Sequence, residues 1–186
     1  MDILQAITGA GNGAAVNQLA QQFGLNPQQA SAAVSALVPA LASGIQKNAS
    51  TESGLGGLLS ALSSGKHQAY VEDTAILAQP ATVDDGNAIL GHVFGSKEVS
   101  RQVATAASAK SGVDAGILKK MLPIVAAMAM GGLGKQVAAS GGVADPRAAK
   151  GGLMSMLEPM VDRNKDGSML DEISGIVGGF LRSRGK

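Results

Sequence analysis

The chain contains no cysteine and no tryptophan, and its aromatic residues are one tyrosine (Tyr70) and three phenylalanines. Without cysteine there is no disulfide, no thiolate nucleophile and no thiolate metal site. This fits a reducing compartment, and the expected location is cytoplasmic. With so few aromatics the core must be built from Ala, Leu, Ile, Val and Met, and no aromatic interleaving supports base stacking. Charge of one sign is also missing. Fifteen basic and fourteen acidic residues leave a formal net charge of +1, which predicts no strong attraction to nucleic acid or acidic lipid. No stretch alternates over a strand length, so nothing argues for a sheet. No basic, compactly apolar leader opens the chain, so no secretory signal is expected.

The 186 residues suffice for one sizeable domain, and 45% of them are hydrophobic, so a core can form. Between Asp2 and Lys47 there is no charge, but Asn and Gln interrupt the stretch and argue against a membrane span. The most apolar run is Met121-Leu122-Pro123-Ile124-Val125-Ala126-Ala127-Met128-Ala129-Met130, closed by Gly131-Gly132. A helix of that length reaches roughly 20 Å, short of the roughly 30 Å hydrocarbon core, so a buried central helix is expected.

Helical spacing is widespread. Asn26-Pro27 reads as a helix start, with Asn as cap, Pro at the first position and Gln29 reaching back. Ala30, Ala33, Val34, Leu37, Val38 and Leu41 then form one apolar stripe, with Pro39 as an expected kink. Further starts are expected at Thr51, Ser96, Asp114, Asp145-Pro146 and Ser168, where Ser168 and Asp171 make a capping box. Expected linkers are 48–54, 63–67, 79–87 and 139–146; the Asp84-Asp85-Gly86-Asn87 cluster within them reads as a helix cap.

Three signals recur in the same order. Phe23-Gly24-Leu25-Asn26 followed by Pro39 is echoed by Ser111-Gly112-Val113-Asp114 followed by Pro123, four residues shorter from cap to proline, or about one helical turn. Gly56-Gly57-Leu58-Leu59-Ser60-Ala61-Leu62 is echoed by Gly151-Gly152-Leu153-Met154-Ser155-Met156-Leu157. Asp85-Gly86-Asn87 before Ile89-Leu90-Gly91 is echoed by Asp166-Gly167-Ser168 before Ile176-Val177-Gly178. The expected architecture is therefore all-α: a single compact multi-helix bundle over 1–186, built from two related helical halves, 13–95 and 96–182.

One constellation suggests specific chemistry. In Asp162-Arg163-Asn164-Lys165-Asp166-Gly167-Ser168, oxygen-bearing side chains recur at alternate positions before a glycine, as in a loop wrapped around a hard cation. Against a twelve-residue EF-hand loop, Asp162, Asn164 and Asp166 fill the first, third and fifth positions, Gly167 takes the sharp turn and Ser168 offers its carbonyl. Leu170 and Ile173 stand where the late ligands belong, and the acids Asp171 and Glu172 fall between them. The loop resembles a shortened calcium loop of the Excalibur type (D-x-D-x-D-G-x-x-x-E) with Asp171 in the last slot, where Asp reaches less far than Glu. The candidate ligands for Ca2+ are Asp162, Asn164, Asp166, Ser168, Asp171 and Glu172. The competing reading is a metal-free turn and helix cap, with Arg163 and Lys165 balancing the carboxylates.

Other patterns are weaker. Ala20 to Asn26 has helix-turn-helix spacing, with Gln28, Gln29, Ala32 and Ser35 facing outward, but no Lys or Arg precedes Lys47 to hold phosphates. The second half offers Lys110, Lys119 and Lys120 as the alternative nucleic-acid contacts, within a segment 97–150 holding eight basic and three acidic residues. Gly9-Ala10-Gly11-Asn12-Gly13-Ala14 has no strand before it and no acid until Glu52, which excludes a dinucleotide fold. His67 and His92 have no carboxylate at ligand spacing in sequence, so an enzyme built around either needs distant residues. The methionines Met121, Met128, Met130, Met154, Met156, Met160 and Met169 read first as core, and second as a Met-rich helical surface for a protein partner.

Leu19-Ala20-Gln21-Gln22-Phe23-Gly24-Leu25, Leu37-Val38-Pro39-Ala40-Leu41, Asp85 to Gly95, Leu118 to Pro123 and the terminal Asp-rich loop together resemble the bacterial family called domain of unknown function 937. The resemblance implies a bacterial, predominantly helical protein and brings no activity or substrate. It also implies a terminal D-x-D-x-D-G-S loop, from which Asn164 departs while keeping an oxygen. The functional expectation is a non-enzymatic structural or protein-interaction module stabilised by calcium.

Overall fold

Local capping chemistry sets most of the helix boundaries. The computed structural model describes residues 13–63 and 66–139. Among these residues the secondary structure is helical throughout, as the sequence predicts. Helix α1 (Ala14–Phe23) ends at Gly24, whose φ of 66° places it in the left-handed region that a glycine adopts without a Cβ clash. Helix α2 (Pro27–Ala49) starts at Asn26, and both halves of the capping box are made. The Gln29 N–H donates to Asn26 Oδ1 (2.8 Å) and the Asn26 N–H donates to Gln29 Oε1 (3.0 Å). Helix α3 (Glu52–Ser63) follows Thr51, whose Oγ1 accepts from the Gly54 N–H at 3.2 Å.

A 3-10 turn (Lys66–Gln68), the short helix α4 (Ala69–Glu72) and a second 3-10 turn (Thr74–Ala78) lead into α5 (Pro80–Phe94). Helix α6 (Lys97–Ser111) is capped by Ser96 and closed by Gly112 at φ 70°. Helix α7 (Ala115–Ala139) starts on Asp114, whose Oδ1 accepts from the N–H groups of Gly116 (2.8 Å) and Ile117 (3.2 Å).

Helix α7 is the axis of the fold. Its residues 121–134 are buried without a break, and it packs against α2, α3, α4, α5, α6 and the first 3-10 turn. Its closest partner is α5. A helix apolar all round has to be covered all round. At 25 residues it spans about 37 Å, longer than the apolar run alone predicts. By length and composition it passes for a membrane span, yet 78% of its most apolar window is buried within the fold. Met121, Met128 and Met130 are core at 0–2% exposure, so these three form no partner-binding surface; the other methionines named above lie outside the described residues.

The linker expected over 79–87 is mostly helix. Pro80 takes the first position of α5, and Asp84 and Asp85 sit inside the helix rather than capping one. Pro39 and Pro123 both lie within continuous helices. The first echoed signal has the same local form twice: a helix, a left-handed glycine, a side-chain cap and a helix with an internal proline. The later echoes, the starts at Asp145 and Ser168 and the remainder of the second half lie outside the described residues.

Two glycines allow the backbones to close onto α7. A Cβ on Gly86 of α5 would fall well inside the contact distance of the Pro123 carbonyl, and one on Gly131 of α7 would collide with the His67 carbonyl. Gly91, in the same helix as Gly86, has nothing within 4 Å of its Cβ direction. Gly86→Ala and Gly91→Ala therefore have opposite expected signs. The first forces two backbones apart and costs at or above the upper end of about 1–3 kcal/mol. The second gains about 0.5–1 kcal/mol of helix propensity. Calorimetric melting of the two variants checks this, and equal shifts would contradict the close approach.

Candidate functional site

Two groups of polar side chains stand out, one inside the fold and one on it. The inner group is assembled from the first 3-10 turn, α4 and α5. Asp85 projects from α5 one residue before Gly86, the point at which α5 meets Pro123. His67 lies in the 3-10 turn held against Gly131, and Tyr70 follows at the start of α4.

The Tyr70 hydroxyl donates to Asp85 Oδ2 at 2.9 Å, and Lys66 Nζ donates to Oδ1 at 3.3 Å. His67 Nδ1 is also 2.9 Å from Oδ2, but its ring direction does not make a hydrogen bond to that oxygen. The pair is thus close and electrostatic rather than a directed bond. Tyr70 and His67 are 7% and 9% exposed, while Lys66 reaches into solvent and adds little.

The titration of the group follows from these contacts. Burial raises the Tyr70 hydroxyl, and its hydrogen bond to Asp85 and that carboxylate's charge raise it further, to about 12. Burial pushes Asp85 up, but the Tyr70 hydrogen bond, the His67 ring and the Lys66 ammonium together outweigh it and hold the carboxyl below its ordinary value.

The outer group lines a half-open groove of about 610 Å³ between the C-terminal part of α5, the start of α6 and the first turns of α7. Lys97 and Arg101 of α6 and Lys119 of α7 stand on its walls, with Asn87, Ser96 and Ser100 among the polar lining and Leu90 and Leu122 beneath. No carboxylate lines it. Arg101 pairs with Glu98, which lies outside the lining. Among the described residues, Lys97 and Lys119 have no carboxylate partner within 4.0 Å.

A family profile described as bacterial protein of unknown function (DUF937) matches residues 5–136. The chain belongs to this family. No curated protein and no solved structure matches it. The matched span of this DUF937 chain contains both polar groups and ends before the Asp162 loop. The candidate ligands Asp162, Asn164, Asp166, Ser168, Asp171 and Glu172 lie outside the described residues. Among the described residues, no group of three or more His, Asp or Glu side chains is placed to hold a metal ion.

Of the three lysines named for nucleic acid, Lys119 alone lines the groove. Lys120 is exposed on α7, and Lys110 sits in the last turn of α6, roughly 20 Å along the helix from Lys97. His92 is exposed in the last turn of α5 and meets no carboxylate among the described residues, whereas its carbonyl accepts from Asn48 Nδ2 at 2.8 Å. His67 does meet one, Asp85. The only sequence signal for that pairing was the presence of both residues, because the turn and helix carrying them are brought together by α7.

Tyr70 is the one tyrosine in a chain without tryptophan, so tyrosinate absorbance reports it alone. Its titration midpoint is expected near pH 12, against about 10 for the free side chain. In Asp85→Asn the midpoint moves down toward 10, and stays above it because burial persists. A raised hydroxyl favours the folded state below pH 10 and loses that advantage as pH climbs through 12. A depressed carboxyl contributes above its ordinary range and stops contributing as pH falls through its lowered value. Asp85→Asn should therefore cost about 1.5–3 kcal/mol at neutral pH and progressively less in acid. Denaturant melts across pH read this out, and a pH-independent difference would contradict it.

Proposed function

We propose that this protein is a non-enzymatic helical interaction module, with the Asp162 to Glu172 loop as a calcium clip on the segment beyond α7. The observation that supports it best is the use made of His67. Among the described residues it is the one histidine paired with a carboxylate, and both partners are engaged within the fold. A general base needs its proton acceptor open to a substrate. Here Nδ1 is buried against Asp85, whose oxygens already receive Tyr70 and Lys66, so Nε2 is the ring nitrogen through which any base chemistry would have to run. The cluster pins the 3-10 turn and α4 to α5.

The same pairing favours a second reading, an enzyme using His67, and one variant separates the two. Under the first reading, His67→Gln lowers the melting temperature without removing a catalytic step. A turnover lost in a His67→Gln protein that melts like the wild type would establish the second.

The calcium clip is supported by alternating oxygens and the Gly167 turn in the sequence. Titrating calcium into metal-free protein should release heat and raise the melting temperature. At a hundredfold excess over Kd the stabilisation is about 2.7 kcal/mol if the segment folds with the body. Asp166→Asn should abolish both signals. Absence of heat and of any melting shift at millimolar calcium would remove the clip and leave the interaction module intact.

A further inference from the structure

We propose that the groove between α5, α6 and α7 is a binding site for a small anion carrying two or more phosphoryl groups. The inference goes beyond the interaction-module reading and does not depend on it. Three cations, Lys97, Arg101 and Lys119, converge on one cavity from two helices, and no carboxylate lines it. Like charges brought together repel unless something offsets them. At this groove the one offset present among the described residues is the Glu98–Arg101 pair, and Glu98 is outside the lining. The Lys66–Asp85 and Glu72–Lys135 pairs show that cations elsewhere on this surface do find carboxylates.

The cavity's shape and chemistry define the ligand class. About 610 Å³ falls within the range of small-molecule sites, about 300–1,000 Å³. Arg101 offers a planar fork of donors and the lysines compact charges, the combination that suits phosphoryl oxygens. Asn87 adds a neutral donor. No aromatic residue lines the groove, so no base-stacking platform is present and the phosphates carry the binding.

A nucleic-acid backbone fits less well. It would need a track of cations, but Lys120 is absent from the lining and Lys110 stands near the far end of α6. Three phosphate contacts give a salt slope of only about −3 and weak binding at physiological salt.

The test is calorimetric titration of the full chain with sodium pyrophosphate at low salt, with ADP and a short DNA duplex as separate arms. Saturable one-to-one binding of pyrophosphate is expected, with affinity falling at least about tenfold in Lys97→Ala/Lys119→Ala and unchanged in Lys110→Ala. All three positions are solvent-exposed, and an unchanged melting curve confirms that each variant folds. ADP binding as pyrophosphate does assigns the site to the phosphates alone, and tighter binding adds a nucleoside contact to the same site. No heat with pyrophosphate at millimolar concentration overturns the proposal. So does ADP binding without pyrophosphate binding, or duplex binding that weakens equally in Lys110→Ala and Lys119→Ala.

Discussion

The fold depends on one helix whose central stretch, residues 121–134, has no polar face. Residues 121–134 of α7 are buried on every side, and exposing that segment to water is unfavourable. Burying each Leu, Ile, Val or Met there is worth about 1.5–3 kcal/mol. The rest of the chain is correspondingly arranged as cover. Helices α2, α3, α5 and α6 supply long walls, and the broken segment 66–72 fills the side that a continuous helix does not. In a chain so poor in aromatics, that cover is made from small and aliphatic side chains packed closely rather than from large rings.

Close packing of this kind makes glycine a positioning device. Gly86 lets α5 touch the Pro123 carbonyl, and Gly131 lets the His67 carbonyl rest on α7. The two contacts are eight residues apart on α7, about 12 Å along its axis. They fix the helix bearing Asp85 and the turn bearing His67 on the same support. The Asp85–Tyr70–His67 group is therefore a consequence of where two backbones are allowed to approach. Its hydrogen bonds then stabilise the irregular segment, which has little regular secondary structure of its own.

Features set by short-range chemistry could be read directly from the sequence. The Asn26 capping box, the caps at Thr51, Ser96 and Asp114, the left-handed glycines at Gly24 and Gly112 and the central apolar helix all depend on residues a few positions apart. Features set by tertiary contact were not legible. Asp84-Asp85-Gly86-Asn87 has the composition of a turn, yet it is helical because Gly86 is needed at Pro123 and Asp85 finds side-chain donors across the fold. His67 and Asp85 stand on different elements, and nothing in their sequence neighbourhoods links them. The basic bias of 97–150 was visible as a count, but not that Lys97, Arg101 and Lys119 share a groove while Lys110 and Lys120 do not.

The two polar groups differ in a way that separates structure from function. In the inner group each charge is answered: the carboxylate of Asp85 receives a hydroxyl and an ammonium and lies beside an imidazole, and the titration shifts follow from that balance. In the outer group the charges are not answered within the lining, although the chain's overall charge is close to neutral. Folding alone gives no reason to gather Lys97, Arg101 and Lys119 around one cavity, because no carboxylate in the lining rewards it. A ligand that supplies the missing negative charge gives one. The balanced cluster is thus the better account of how the body holds together, and the unbalanced groove the better place to look for what it holds.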